Sequence, residues 1–209
     1  MAQSVNALAV GASYGMVPAF LDKRGAIVSQ MYSAVGDTAA SMEFSVAGAG
    51  GTLVPEEAIL MSQLRKCRMS VSPVRFMLTS EDLSFDDFVQ LASNVQSTLS
   101  DLYKGVVMSY VGAVVRATCV SSKAATGNTK GLLEASIAGT VIPDVTEFRT
   151  TSLRLGQRKH LLVRPLRDAM VEVTLDLQKV KDATWDDLAT LPKTARDMLI
   201  AFMAEMEQK

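Results

Sequence analysis

Six cations, Arg149, Arg154, Arg158, Lys159, Arg164 and Arg167, fall in one stretch that contains no acid. Guanidinium and ammonium groups at this density attract phosphates, so the segment is a candidate surface for a polyanion or an anionic membrane. The next stretch reverses sign: Asp168, Glu172, Asp176, Asp182, Asp186 and Asp187 stand against Lys179 and Lys181. Joined opposite charges also suit head-to-tail association of copies, with Asp182, Asp186 and Asp187 as candidate self-association residues. Arg158 and Lys159 are adjacent and point to opposite faces of any strand, whereas Arg154 and Arg158 share a face if the strand is continuous. Only Phe148 is interleaved, which does not support a base-stacking platform. Arg65, Lys66, Arg68 and Arg75 form a second, smaller basic cluster. A solvated charged face is the bland alternative for both.

Other residue types offer less chemistry. The single histidine, His160, sits beside Arg158 and Lys159, which disfavour its protonation, and no local motif orients it as a base. Cys67 and Cys119 have no metal-ligand spacing and are expected to be reduced thiols. The glycines at 48–51 do not follow a phosphate-cradling pattern. Glu81, Asp82, Asp86 and Asp87 gather at a helix start, where acids complement the helix dipole more often than they hold magnesium. No catalytic residue, metal or cofactor is expected, and the chain reads as a non-enzyme.

The chain has 209 residues, a net charge of −1 and 48% hydrophobic residues, enough for one domain with a real core. Its mean hydropathy, +0.20, is high for a soluble monomer. A large core, an interface between subunits or a membrane-facing patch would each explain it. The apolar run 106–115 is too short for a helical span. The N-terminus lacks a basic n-region and, with Ala2, the glycine that myristoylation needs.

The elements that must position these residues read as α+β, a mainly antiparallel small sheet packed against helices. Residues 1–25 are small and interrupted by Gly11, Gly15, Pro18 and Gly25, and are expected to be a flexible arm before a single core domain over 26–209. Residues 27–35 form a short helix or strand, and 41–46 alternate as a strand. Pro55 opens an expected helix with Ile59, Leu60 and Leu64 inward. A strand follows over 67–78, bent or at an edge because of Pro73.

Ser84 caps an amphipathic helix to Lys104, stopped by Gly105. Residues 106–120 read as a buried strand, 121–131 as a polar loop, and 132–141, 153–163 and 169–177 as further strands. Thr184 starts a short acidic turn holding Trp185, Pro192 breaks it, and Thr194 caps a last helix with Leu199, Ile200, Met203 and Met206 inward. No internal repeat stands out.

Four segments taken in order carry a resemblance: LSFDDFVQLASNVQSTLSDLYKG, VVMSYVGAVVRATCVSS, HLLVRPLRDAMVEVTLDLQKV and TWDDL. This helix, apolar strand, basic-to-alternating pair and acidic turn resemble the core of rhabdovirus matrix proteins over residues 42–206. The resemblance implies a viral matrix-type structural protein that self-assembles as a homo-oligomer and links the viral nucleocapsid to an anionic membrane surface. It implies a place in the virion and, in the host cytoplasm, at the membrane periphery. The chain has no PPxY or PTAP-type motif and no Lys-rich N-terminal arm, so membrane contact falls to folded patches such as 149–167. The alternatives are a capsid or nucleocapsid protein in direct contact with RNA, and a small intracellular enzyme or ligand-binding domain.

Overall fold

A computed structural model describes residues 2–15, 17, 20, 22–45, 57–120, 140–143, 148–154, 156–166 and 170–208. The first half of the chain runs β1 (Ala2–Tyr14), α1 (Arg24–Val35), β2 (Ser41–Ser45), β3 (Glu57–Ser62), β4 (Cys67–Val71), β5 (Arg75–Ser80) and α2 (Phe85–Leu102). The second half runs β6 (Met108–Val120), β7 (Thr140–Pro143), β8 (Phe148–Arg154), β9 (Gln157–Pro165), β10 (Met170–Lys179) and α3 (Asp187–Gln208).

The strands form one sheet in the order β2-β3-β4-β5-β1-β6-β10-β9-β8-β7, and all neighbouring pairs are antiparallel. The helices touch one another and lie on one face: α3 on β6, β1 and β10, α2 on β1, and α1 on β3. The fold is therefore α+β with an antiparallel sheet, as the sequence predicts.

Alternation sorts the strands between the two faces. β10 buries Val171, Val173, Leu175 and Leu177 under the helices and turns Glu172, Thr174, Asp176 and Gln178 the other way. β6 does the same with Val111, Ala113, Val115, Ala117 and Cys119. Among the described residues no helix covers the second, open face.

Several expectations are corrected. Residues 2–14 are not an arm but β1, in the middle of the sheet, hydrogen-bonded to β5 on one side and β6 on the other. Ala7, Val10, Ala12 and Tyr14 are buried there. Its Ala, Gly and Ser content argues against a strand, but pairing on both edges overrides propensity. Residues 57–62 form β3 and not a helix, because a four-residue apolar run, 58–61, paired on both sides is too short to be helical. Leu64, expected in the helix stripe, is 73% exposed in the turn before β4.

The expected strand 67–78 is two strands. Between them the Ser72 hydroxyl accepts from the amides of Val74 and Arg75 at 3.3 and 3.1 Å and turns the chain at Pro73. The expected strand 153–163 is likewise broken, by Gly156 at φ +74°, a conformation that favours glycine. Pro192 does not break α3, although its ring leaves the Leu188 carbonyl without an amide donor. Ile200 is exposed where Leu199 and Met203 are buried.

The element order repeats. Each half supplies a long central strand (β1, β6), its own four-strand meander ending beside that strand, and a closing helix. The central strands cross in antiparallel register at Gly11 and Gly112, each within Val-Gly-Ala. Val71-Ser72-Pro73-Val74-Arg75 stands at the end of β4, and Val163-Arg164-Pro165-Leu166-Arg167 at the end of β9. Ser84-Phe85-Asp86-Asp87-Phe88 opens α2, and Thr184-Trp185-Asp186-Asp187-Leu188 opens α3. The described strands and closing helices thus repeat in order on the two sides of the β1–β6 seam, while α1 has no counterpart among the described elements of the second half.

The two seam glycines differ in what surrounds them. A Cβ on Gly11 would lie 2.8 Å from the Phe76 carbonyl oxygen, whereas one on Gly112 would come no nearer than 3.4 Å to any atom, Gln178 Cγ. Gly11→Ala is expected to cost roughly 1–3 kcal/mol through forced backbone displacement. Gly112→Ala should stay within about 0.5 kcal/mol of wild type. Urea unfolding midpoints check both, and equal costs would show that the β1–β5 approach is looser than described.

Candidate functional site

The β8–β9 hairpin divides the basic segment between the two faces of the sheet. Arg158 pairs across to Leu153 and Arg154 to Gln157, so Arg154 and Arg158 lie at opposite-face positions rather than on one strand face. The register places Arg149 opposite Leu162, in phase with Arg158, His160 and Arg164 on the open face. Lys159 is in phase with the buried Leu161 and Val163. Arg167 lies outside the described residues. The six cations therefore do not form one phosphate-tracking strip.

Part of the charge on the open face is matched from within. Glu172 lies between Arg116 and Arg164, each at 3.5 Å, with its side chain 16% exposed. His160 stands opposite Asp176 in the β9–β10 register. Burial raises the pKa of Asp176, offset by the Gln178 amide that donates to it at 2.9 Å and by the charges of His160 and Arg158.

A carboxyl group whose pKa is raised on folding favours the fold when protonated, and that contribution is lost as pH rises through its folded value. Asp176→Asn is therefore expected to melt higher than wild type at neutral pH, with the gap closing as the pH is lowered through the carboxylate range. Melting temperature against pH for both proteins checks this. A variant less stable at neutral pH would show that attraction to His160 and Arg158 outweighs desolvation.

The acidic segment is largely engaged in the fold. Asp187, 9% exposed, accepts from the Thr184 amide at 2.7 Å and from Lys179 Nζ at 2.9 Å at the start of α3. It is an internal cap, not a free self-association residue. Asp186 accepts from Gln96 Nε2 at 2.8 Å and ties α3 to α2. Asp182 remains an exposed turn residue at φ +52°.

The acids before α2 follow the same logic. Ser84 caps the helix by accepting from the Asp87 amide at 3.1 Å, Lys66 pairs with Asp82 at 3.4 Å, and Arg196 approaches Asp86 at 3.8 Å. Among the described residues no group of three or more His, Cys, Asp or Glu could hold a metal ion. Cys67 and Cys119 are buried free thiols, and burial pushes Cys67 up to about 11.

The second basic cluster proves the more coherent of the two. Arg68 and Arg75 project from β4 and β5 onto the open face around a depression of about 170 Å³, with Glu57, Ser70, Met77 and Thr79. Sequence reasoning noted these arginines but read their strands as one, which hides that Arg68 faces Thr79 across a hairpin. The signal was present in Ser72-Pro73, a turn pair.

No protein-family model, curated protein or solved structure matches the chain. Among the described residues no helix is long and apolar enough to cross a membrane.

Proposed function

We propose that the chain is a viral structural protein of the matrix type, which self-assembles and presents the open face of its sheet to a polyanionic partner. The observation that carries this reading is the one-sided fold, in which three helices share one face of a ten-stranded sheet and the other face bears arginines from both halves. Arg68 and Arg75 come from the first half, and Arg116, Arg158 and Arg164 from the second. Exposed Met77 and Tyr110 supply apolar contact area on the same face. The matrix role, with nucleocapsid and anionic membrane as partners, rests on the resemblance of residues 42–206 to rhabdovirus matrix proteins in sequence texture alone. The spread of arginines over both halves also favours a second reading, a capsid or nucleocapsid protein whose open face meets RNA.

The test is charge reversal on one face at a time. Arg158→Glu is expected to weaken binding to anionic liposomes, with the slope of log affinity against log salt reduced by more than about one. Lys159→Glu, on the helix side, should leave binding unchanged. A stronger effect of Arg158→Glu on single-stranded RNA than on liposomes would favour the capsid reading. Equal effects of the two reversals, or none from either, would remove the open face from the account.

A further inference from the structure

We infer that the open-face depression between β4 and β5 is a binding site for a phosphate-class oxyanion, held by Arg68 and Arg75 over the hydroxyl of Ser70. Glu57 from β3, Arg68 and Ser70 from β4, and Arg75, Met77 and Thr79 from β5 line it. Arg68 stands opposite Thr79 and Ser70 opposite Met77. Arg75 therefore lies four residues from Arg68's partner, about 14 Å along the strand at ~3.4 Å per residue. Arg68 and Arg75 thus line the depression towards its two ends, with Ser70 and Met77 between them in the register.

Three features fit an anion and not merely a solvated face. Ser70 is 8% exposed and lines the depression, and its hydroxyl, which bonds no described residue, is open to the depression rather than sealed in the core. Thr79 Oγ1, by contrast, already donates to the Arg68 carbonyl at 3.4 Å. Arg68 makes no ion pair among the described residues, while Arg75 meets Glu57 through a single nitrogen, Nη2, at 3.2 and 3.3 Å. A guanidinium has five N–H donors, so most of Arg75's remain for a ligand.

The third feature is the charge balance, two guanidinium groups against one carboxylate in a space of about 170 Å³. Donor-bearing side chains at both ends and a hydroxyl between them suit an oxyanion with acceptors on several sides. The internal repeat shows that the fold does not require this set. At the matching positions of the second half, Leu162 replaces Ser70 and His160 replaces Arg68. The site is thus a property of the first half alone, and it stands whether or not the assembly reading holds.

The experiment uses the full-length protein and amide NMR, titrated with sodium phosphate and, at matched ionic strength, with sodium chloride. Saturating shifts centred on Ser70 and Arg68 are expected with phosphate only. Arg68→Gln, a change at an exposed position, should weaken the titration by at least about tenfold through loss of charge-assisted bonds. Glu57→Gln removes the competing carboxylate and should move the midpoint to lower phosphate. Shifts that follow ionic strength equally in both salts, or a titration unchanged in Arg68→Gln, would overturn the site. A second arm sediments the protein with phosphatidylcholine vesicles, with and without phosphatidic acid. Arg68-dependent sedimentation assigns the anion to a lipid headgroup. Phosphate titration without sedimentation assigns it to a soluble phosphate.

Discussion

Val10→Asp is expected to yield an unfolded protein. Val10 is fully buried in β1, between Leu78 of β5 and Ala113 of β6. A carboxylate there has no partner, and burying it costs several kcal/mol. Domains have only about 5–15 kcal/mol to lose. The substitution also falls on the strand that joins the two halves, so the first meander loses its inner neighbour and β6 loses its seam partner. Removing residues 2–14 should have the same outcome for the same reason. Far-ultraviolet circular dichroism and amide NMR dispersion read the result. A dispersed, cooperative spectrum from either variant would restore the reading of this segment as a dispensable arm.

The second large effect is expected at the start of α3. Asp187→Lys removes the acceptor for the Thr184 amide and hydroxyl and sets a second ammonium beside Lys179. The Asp187 side chain is 12% exposed and that of Lys179 30%, so solvent screens the repulsion poorly. Loss of the cap and of a half-buried pair together should cost roughly 2–4 kcal/mol. The damage extends to the Tyr14, Tyr103 and Trp185 cluster, whose ring centroids are 5.3–5.8 Å apart just before the helix. Asp186→Lys loses only one exposed hydrogen bond to Gln96 and should stay within about 1 kcal/mol. Chemical unfolding separates the two. If Asp187→Lys alters assembly at unchanged stability, Asp187 belongs to an interface after all.

Where local signals and tertiary pairing agree, the sequence is legible. α2 carries a Ser84 cap, acids in its first turn and an apolar stripe of Phe85, Phe88, Val89, Ala92, Val95 and Leu99, all of which are buried. β10 alternates cleanly because one face packs under α3 and the other is open. β1 was illegible because its Ala-Gly-Ser composition is that of a loop, and its strand state comes from partners about 70 and 100 residues away. β3 was misread because Pro55 and the acids after it are helix-start signals, while the six-residue length that decides for a strand is visible only once the turn at 63–66 is known.

The candidate surface was legible as charge but not as geometry. A run of arginines has no face until its hairpins are placed, and the turn at Gly156 leaves Arg154 and Arg158 out of phase in the register. The internal repeat was hidden because it survives only at Val-Gly-Ala, at the prolines after β4 and β9, and at the two Asp-Asp helix starts. Those are the positions where the seam, the turn and the cap limit the choice of residue. The intervening strands need only alternate, so their sequences have little in common.

The proposed function requires this chain to assemble through its own surfaces. Light scattering on the purified protein over a wide concentration range, at low and at physiological salt, with absorbance at 260 nm recorded to exclude nucleic acid, tests it directly. The account predicts a mass that rises with concentration above the 22.4 kDa of one chain. A single 22.4 kDa species at every concentration and at both salts would contradict it.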